Sequence, residues 1–210
     1  MHTRLWYIPQ KEAAAIISFP PLNDPLFFGN DNPIQIEYCS GNGAWITERA
    51  QKNPDINFIA VEMRLDRARK IWAKIHNHKL NNLIVVFGES LLFTKNYIPD
   101  HSIDEIFINF PDPWPKRKHH KNRLINDLFL EEVARVLEPG KPITIVTDNA
   151  PYSEAIIETF LENPLFRSAI EEPYYKVVST EWGYSFFDSL FREKGFDIRL
   201  HTFSSLPKLP

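Results

Sequence analysis

The chain has 210 residues, of which 43% are hydrophobic, and its formal net charge is −3 at neutral pH. This length suits one domain with a full core, and no stretch reaches the roughly 18 apolar residues of a membrane span. The acidic balance argues against a nucleic-acid binder that is basic over its whole surface. The single cysteine, Cys39, excludes an intramolecular disulfide. Together with the lack of a signal-peptide pattern, it leads us to expect a cytoplasmic protein.

Strand-like and helix-like segments alternate along most of the chain. We predict that residues 1–32 form an irregular segment packed on the body and that residues 33–210 form a single domain. Strands are expected at 34–38, 57–61, 83–87, 103–109, 143–147 and 197–202, and helices at 44–51, 64–78, 124–137, 151–161 and 186–193. This alternation predicts an α/β fold with a mostly parallel, doubly wound sheet and helices on both faces.

The connection between the first predicted strand and helix contains Gly41 and Gly43. Two glycines let the backbone turn tightly and let a ligand approach the peptide, although an ordinary strand-to-helix turn explains them equally well. Glu62 directly follows the second predicted strand. A carboxylate there can accept hydrogen bonds from both hydroxyls of a ribose. The two features together predict a nucleotide pocket at the carboxyl ends of the strands.

Two further positions select among nucleoside cofactors. A dinucleotide fingerprint needs a third glycine where this chain has Ile46, and an acid at Glu37 would repel a pyrophosphate. The same acid suits a cationic ligand such as S-adenosylmethionine (SAM), which carries an ammonium and a sulfonium group. Glu89, after the third predicted strand, could reach an adenine amine or cap the next helix, and the sequence leaves both interpretations open.

A stiff loop follows the fourth predicted strand. Three prolines within residues 111–115 exclude a helix or an interior strand there. The loop carries Asp112 and Trp114 and leads into a dense basic run: Lys116, Arg117, Lys118, Lys121 and Arg123. A fixed acid beside a ring and a phosphate-seeking patch is typical of chemistry on a nucleic-acid base, with an ordinary solvated loop as the alternative.

Carboxylates occupy matching places after the fourth and fifth predicted strands. Asp112 follows the fourth strand, where a cofactor methyl group would project in such a sheet, and Asp148 follows the fifth. Asp148 could equally cap the helix that we predict to begin at Pro151. Trp114 either stacks on a base or anchors the loop in the core, and the anchor is favoured.

These motifs resemble the bacterial tRNA (guanine-N7-)-methyltransferases over about residues 34–203. The most specific of them is the block Phe110-Pro111-Asp112-Pro113-Trp114-Pro115-Lys116. The likeness also includes Glu37, Gly41-x-Gly43, Glu62, the extension Lys118-His119-x-Lys121-x-Arg123, and Thr147-Asp148 followed by Tyr152. The resemblance implies a Rossmann-like, class I SAM-dependent methyltransferase fold. It also implies methyl transfer to N7 of a variable-loop guanine in tRNA.

The resemblance further implies roles for individual residues. The cofactor would lie against Glu37, Gly41, Gly43, Glu62, Glu89 and Asp112. Asp112 would be the catalytic residue. The guanine would be held by Lys116 and Asp148 and covered by a clamp of Ser185 and Asp188. The RNA backbone would meet Lys118, His119, His120, Lys121, Asn122 and Arg123. Transfer RNA would be the partner, without a metal, a membrane or an obligatory protein partner.

Four features depart from the family pattern. Cys39 replaces the first glycine of the turn and would crowd the cofactor slightly. Glu89 stands where Asp is usual, and Asn122 interrupts the basic run. Ser185 and Asp188 are shortened or conservative versions of a Thr and a Glu. None of these changes removes a required chemical group.

Three other functions agree with parts of the pattern. A methyltransferase of another RNA base or of a small molecule would share the cofactor pocket, but the basic run argues against a small molecule. An RNA-binding subunit without chemistry would not need Glu37, Glu62 and Asp112. A nicotinamide oxidoreductase is disfavoured by Ile46. Methyl transfer to tRNA is therefore the function that the sequence favours.

Overall fold

The structure is a computed structural model that describes residues 5–7, 21–24, 26–178, 182 and 186–206. The chain forms two compact units, Met1–Ile98 and Pro99–Pro210. Each unit carries its own strands and helices. The predicted single domain over residues 33–210 stays a prediction.

The described part of the first unit contains four strands and three helices. The strands are β1 (Leu5–Tyr7), β2 (Ile34–Tyr38), β3 (Asn57–Glu62) and β4 (Leu83–Phe87). The helices are α1 (Ala44–Lys52), α2 (Leu65–Asn77) and α3 (Ser90–Tyr97). The strands pair in the order β1-β4-β3-β2, and every pair is parallel. Because parallel neighbours end at the same edge, the turns after β2, β3 and β4 lie together.

The core of the first unit explains why these segments form strands and helices. Strands β2 and β3 are buried along their whole length, as expected of parallel strands covered on both faces. Helix α2 buries Ala68, Ile71 and Ile75, which share one face at helical spacing. That face packs on β3 and β4, so the opposite face of α2 is left for other contacts.

The described part of the second unit contains five strands, three α-helices and one short 3-10 helix. The strands are β5 (Glu105–Asn109), β6 (Pro142–Thr147), β7 (Phe166–Ser168), β8 (Lys176–Val177) and β9 (Arg199–Ser205). The helices are the 3-10 helix Arg117–Asn122, then α4 (Asp127–Val136), α5 (Ala150–Glu162) and α6 (Phe186–Glu193). Strands β5 and β6 are parallel, whereas β9 runs antiparallel to β6, β7 and β8. The turns after β5 and β6 therefore share an edge.

Several elements differ from the sequence-based expectation. Residues 5–7, predicted to be irregular, form β1, and the basic run forms a 3-10 helix. Strands β7 and β8 and helix α3 were not predicted, because segments of two to eight residues are too short to show a clear period. Helix α5 begins at Ala150 and not at Pro151, and α4 begins at Asp127 after the cap Asn126. Among the described residues, no helix has the length and apolar character needed to cross a membrane.

Candidate functional site

The turn after β2 depends on left-handed backbone conformations. The φ angles are 59° at Cys39, 57° at Gly41 and 72° at Gly43. Only glycine adopts this region without a steric penalty. Ser40 Oγ donates to the Glu37 carbonyl at 2.7 Å, which ties the turn to the end of β2. A glycine is therefore the least strained residue at position 39, and the expected crowding of the cofactor by Cys39 stays a prediction.

Glu62, the last residue of β3, closes this turn and is only 4% exposed. Its Oε2 accepts a hydrogen bond from Gly41 N at 2.8 Å, and its Oε1 accepts one from Arg64 N at 2.8 Å. Burial raises the pKa of Glu62 above the ordinary value of 4.5, although both hydrogen bonds and the charges of Arg67 and Arg64 act in the opposite direction. Each carboxylate oxygen can accept a second hydrogen bond. The position therefore still suits the two hydroxyls of a ribose.

Glu37 brings a second buried acid to the same edge. It is the penultimate residue of β2 and is 2% exposed. Strand β2 pairs with β3 so that Tyr38 lies opposite Val61, one residue before Glu62. Two buried acids at the ends of paired strands create a negative local potential. That potential fits the ammonium and sulfonium charges of SAM and disfavours a pyrophosphate.

Glu89 follows β4 at the same edge and caps α3. Its Oε1 accepts from Leu91 N at 3.0 Å and its Oε2 accepts from Leu92 N at 2.7 Å. Of the two interpretations that the sequence left open, the helix cap is therefore observed. The contact between Glu89 and the cofactor stays a prediction.

Gly43 has a packing role that the sequence did not reveal. A Cβ at this position would lie 2.6 Å from Cγ1 of Ile71, a buried side chain of α2. The glycine thus allows the start of α1 to approach α2 closely. A close approach of the cofactor to Gly43 stays a prediction.

The proline loop after β5 is held by local contacts and by one arginine. Phe110 and Trp114 have φ angles of 50° and 43°, and Asp112 Oδ1 accepts a hydrogen bond from Trp114 N at 3.1 Å. Arg123 Nε donates to the Pro113 carbonyl at 3.0 Å. Asp112 itself is exposed. The loop therefore presents the carboxylate to solvent from a restrained backbone.

Arg123 belongs to the basic run, and its side chain also makes contacts within the protein. Its guanidinium lies 4.7 Å from the ring centroid of Tyr152, a buried residue of α5. Arg123 Nη2 and His120 Nε2 are 3.1 Å apart. With its bond to Pro113, Arg123 joins the proline loop to α5. Its predicted contact with RNA stays a prediction, and its observed contacts are within the protein.

The remaining residues of the basic run are Lys116, which precedes the 3-10 helix, and the residues of that helix, Arg117–Asn122. Exposed side chains are those of Lys116, Arg117, Lys118, His120, Lys121 and Asn122. His119 is half-buried, with its ring centroid 5.8 Å from that of Trp114. Trp114 is also half-buried, so it anchors the loop only partly. This arrangement leaves most of the predicted RNA-contact residues accessible.

Aromatic residues fix the start of the proline loop, and sequence reasoning missed them. The ring of Phe110 lies 6.4 Å from that of Phe187 and 5.8 Å from that of Phe191, both in α6. Trp182 Nε1 donates to Asn109 Oδ1 at 2.9 Å at the end of β5. The spacing of Phe187 and Phe191, four residues apart on one helix face, was the available signal.

Asp148 lies after β6 and is half-buried. Burial raises its pKa above 3.8, and the charge of Lys194 partly offsets that rise. The side chain that caps α5 is Asn149, which accepts from Tyr152 N at 2.9 Å. The alternative that Asp148 caps this helix is therefore wrong, which leaves its carboxylate available for another role.

The two predicted clamp residues have different outcomes. Ser185 lies outside the described residues. Asp188 is fully buried, and its carboxylate accepts two hydrogen bonds from Arg192, at 2.8 Å from Nε and 3.1 Å from Nη2. Arg192 Nη1 also donates to the Val178 carbonyl at 2.7 Å. Asp188 therefore has a structural partner, and its role as a clamp stays a prediction.

Comparisons with known proteins identify the family. A family model with the description "Putative methyltransferase" matches residues 31–188. The tRNA (guanine-N(7)-)-methyltransferase of Chlamydia muridarum is 43% identical over 189 residues, which cover 90% of this chain and 81% of the relative. The enzyme of the same name from Chlamydia felis is 46% identical over 173 residues, covering 82% and 75%. The chain belongs to the bacterial tRNA (guanine-N7-)-methyltransferase family.

Solved structures support the fold of this family member. A SAM-dependent methyltransferase from Aquifex aeolicus matches with a TM-score of 0.56 at 19% identity, over 85% of each chain. Such a likeness concerns the fold alone. The predicted α/β fold, Rossmann-like with a mostly parallel sheet, is confirmed, and so is the resemblance to the family.

The site residues expected of this methyltransferase family fall into two groups. The first unit brings Glu37, Glu62 and Glu89 to one edge, with the glycine turn between β2 and α1. The second unit brings Asp112 and Asp148 to one edge, followed by the 3-10 helix in the chain. Their assignment to cofactor and substrate is a proposal.

Proposed function

We propose that this protein transfers the methyl group of SAM to N7 of the guanine at position 46 in the variable loop of tRNA, forming 7-methylguanosine. The observation that carries the proposal is the proline loop, which presents an exposed Asp112 directly before a basic 3-10 helix. The names of the relatives from Chlamydia support both the substrate and the methylated atom.

The edge of the first unit would hold the cofactor. Glu62 would accept hydrogen bonds from the ribose hydroxyls, Glu37 would attract the cationic part of the ligand, and Glu89 would accept a hydrogen bond from the adenine amine. When bound, SAM would supply a methyl group on a sulfonium, and transfer of this group to N7 would leave the electron pair of the C–S bond on sulfur, giving S-adenosylhomocysteine as the second product.

Asp112 would stabilise the charge that appears on the guanine. N7 already carries an accessible lone pair, so the reaction requires no general base at this atom. Methylation produces a cationic purine, and a fixed carboxylate beside it stabilises the transition state electrostatically. The same carboxylate can accept hydrogen bonds from N1–H and the exocyclic amine of guanine, which orients N7 for in-line displacement.

The other substrate contacts follow from charge and position. Asp148 would assist Asp112, and Lys116 would contact a phosphate or the O6 acceptor of guanine. Ser185 and Asp188 would close over the base. Moving the nucleotide out of a folded tRNA costs a few kcal/mol, and the residues 118–123 are where attraction to the RNA backbone could offset this cost.

Methyl transfer to an unmodified tRNA transcript tests the proposal. Labelled SAM is supplied, the RNA is digested, and the nucleosides are separated. We expect 7-methylguanosine, and we expect it to disappear when position 46 of the tRNA is adenine. A different methylated nucleoside would contradict the assignment to guanine. Measurable SAM binding without any transfer to tRNA would contradict the proposed substrate.

A further inference from the structure

The outer face of α2 is strongly basic, and the proposed mechanism does not use it. Residues 64–79 contain one quarter of the 24 lysines and arginines of the chain and a single acid, Asp66. The basic residues are Arg64, Arg67, Arg69, Lys70, Lys74 and Lys79. We define the α2 basic face as Arg69, Lys70, Trp72, Lys74 and His76, which lie opposite the buried residues of this helix or beside that face.

The charges of the α2 basic face differ in what they contribute to the helix. Lys74 lies in the last turn, where the helix dipole favours cations, whereas Arg69 and Lys70 lie in the second turn, where the dipole contributes little. Lys70 and Lys74 are four residues apart, and like charges at this spacing repel each other. Within the described part of the chain, no ion pair joins Arg69, Lys70 or Lys74 to a carboxylate. The helix dipole and ion pairs therefore do not account for the cations at Arg69 and Lys70.

An accessible aromatic pair lies on the same helix. Trp72 is 39% exposed, and its ring centroid is 4.1 Å from that of His76, one helical turn further along. His76 Nδ1 lies 3.0 Å from the Trp72 carbonyl and donates to it, which fixes the imidazole beside the indole. Arg69 is three residues before Trp72, so the cation and the rings are neighbours on the helix surface. An exposed ring next to cations is a stacking platform for a nucleic-acid base.

We propose that the α2 basic face is a second RNA-binding surface, which contacts the phosphates of tRNA with its cations and stacks a nucleotide on Trp72. This inference rests on the proposed function, since it extends the contact with the same substrate. A lipid surface fits less well, because the apolar side chains Ala68, Ile71 and Ile75 are buried in the protein core. The ligand that matches the exposed cations Arg69 and Lys70 and the neighbouring rings is a polyanion with bases.

Salt-dependent binding to unmodified tRNA tests the cationic part. The full-length Arg69→Gln/Lys70→Gln variant is compared with Arg167→Gln/Lys176→Gln, and each variant removes one exposed arginine and one exposed lysine, from α2 or from β7 and β8. Each phosphate that is no longer neutralised by a cation reduces the slope of log K against log salt by about 0.9. We expect the α2 variant to lower the affinity and to reduce the slope by about 2, while the control keeps the wild-type slope.

Replacing the indole separates stacking from charge. Trp72→Leu keeps apolar bulk on the helix but removes the stacking platform. We expect the affinity for tRNA to fall about fivefold or more without a change in the salt slope, because stacking releases no counterions. Thermal unfolding shows whether this variant is folded. If it is not, the double charge variant decides the question alone.

Two results would overturn the inference. The first is an Arg69→Gln/Lys70→Gln variant that binds tRNA with the affinity and salt slope of the wild-type protein. The second result concerns polyglutamate, which is an acidic polymer without bases and is measured beside tRNA. If the variant loses binding to polyglutamate but keeps binding to tRNA, the α2 basic face is a site for an acidic protein. The proposed function is judged separately. If the wild-type protein forms no 7-methylguanosine, the proposed function fails, whereas normal product formation with unchanged tRNA binding by the variant overturns only this inference.

Discussion

The acids of the first unit and the acid of the proline loop are positioned in different ways. Glu37 is the penultimate residue of β2, Glu62 is the last residue of the paired strand β3, and both are almost fully buried. Asp112 is exposed on a loop that is held by its own bond to Trp114 and by the bond of Arg123 to Pro113. Glu37 and Glu62 are held in place by the packing of the sheet, whereas Asp112 is held in place by a few polar contacts.

This difference predicts how substitutions act in the two regions. A change near the buried acids disturbs core packing and desolvated charge, so it should alter the free energy of unfolding as well as ligand affinity. A change at the exposed acid removes few packing contacts, so it should alter turnover and leave stability nearly unchanged. Four substitutions test this contrast, from the largest expected effect to the smallest.

Asp112→Asn should reduce methyl transfer about a hundredfold or more, because the variant cannot offset the positive charge that develops on the purine. The amide oxygen can still accept from Trp114 N, so the loop should keep its conformation. Single-turnover transfer to tRNA measures the loss. SAM affinity should stay within a few-fold and the midpoint of thermal unfolding should not change.

Two outcomes of the Asp112→Asn experiment would contradict this prediction. Transfer within tenfold of the wild-type rate would show that Asp112 is not the catalytic residue. A large fall in the unfolding midpoint would show that the side chain is structural, and the contrast with the buried acids would then be lost.

Gly43→Ala should lower the free energy of unfolding by about 2–4 kcal/mol, because the alanine must adopt a left-handed backbone conformation and its Cβ is forced into contact with Ile71. The φ angle is 72°, and the new Cβ would lie 2.6 Å from Ile71 Cγ1. Gly195→Ala is the matched control, because φ is 77° there and no atom lies within 4 Å of the new Cβ. Urea unfolding of both variants isolates the contribution of the Ile71 contact.

The difference between the two glycine variants separates packing from backbone strain. If Gly195→Ala costs as much as Gly43→Ala, backbone strain explains both, and the close approach of α1 to α2 contributes nothing. Ile71→Ala removes the Cγ1 and Cγ2 atoms that the new Cβ would meet, so a Gly43→Ala/Ile71→Ala variant that is destabilised by less than the sum of the two single variants would confirm the contact.

Glu62→Gln should weaken SAM binding about tenfold or more, because a hydrogen bond to a charged group contributes about 1.5–3 kcal/mol. Isothermal titration of the folded variant measures this loss. The same substitution at Glu131, an exposed acid of α4, is the control. An unchanged affinity in Glu62→Gln would contradict the assignment of Glu62 to the ribose.

Glu62 should also make stability depend on pH. Its folded pKa is raised above 4.5, so the folded state binds this proton more tightly than the unfolded state does. Its contribution to stability is therefore present below the ordinary value and is lost as the pH rises through the folded pKa. Urea unfolding of the wild-type protein from about pH 4 to pH 7 should show this decline, and Glu62→Gln should show a smaller one. Equal slopes would contradict the desolvation of Glu62.

The sequence predicted long apolar elements and strand-end acids well, because both depend on local pattern. Strands β2 and β4 have the predicted bounds, 34–38 and 83–87, since buried parallel strands appear as apolar runs. Strand β8 has two residues and no measurable period. The ion pair of Asp188 with Arg192 follows helical spacing and was available from the sequence.

Contacts between distant residues could not be obtained from the same pattern. The approach of Gly43 to Ile71 joins two helices, and the bonds of Arg123 join the proline loop to α5. Neither is encoded by a period or by a short motif. Arg123 therefore appeared as one more cation of a basic run, although its geometry indicates a residue that positions the loop.

Arg123→Gln and Lys121→Gln separate these two roles, because Lys121 belongs to the 3-10 helix and Arg123 is the residue that follows it. Arg123→Gln removes the bond to the Pro113 carbonyl and the contact with the Tyr152 ring, so kcat should fall by about tenfold, with little change in the salt slope of tRNA binding. Lys121→Gln removes one exposed cation, so the salt slope should fall by about 0.9 while kcat is unchanged at saturating tRNA.

Arg123→Lys sharpens the test, because lysine keeps the charge but cannot reproduce the planar stacking of a guanidinium over Tyr152 together with its bond to Pro113. If charge toward RNA is what matters, Arg123→Lys should behave as the wild-type protein and Arg123→Gln should lose tRNA affinity as Lys121→Gln does. If Arg123 positions the proline loop, both Arg123 variants lose turnover, and the exposed Asp112 depends on a remote contact in a way that the buried Glu37 and Glu62 do not.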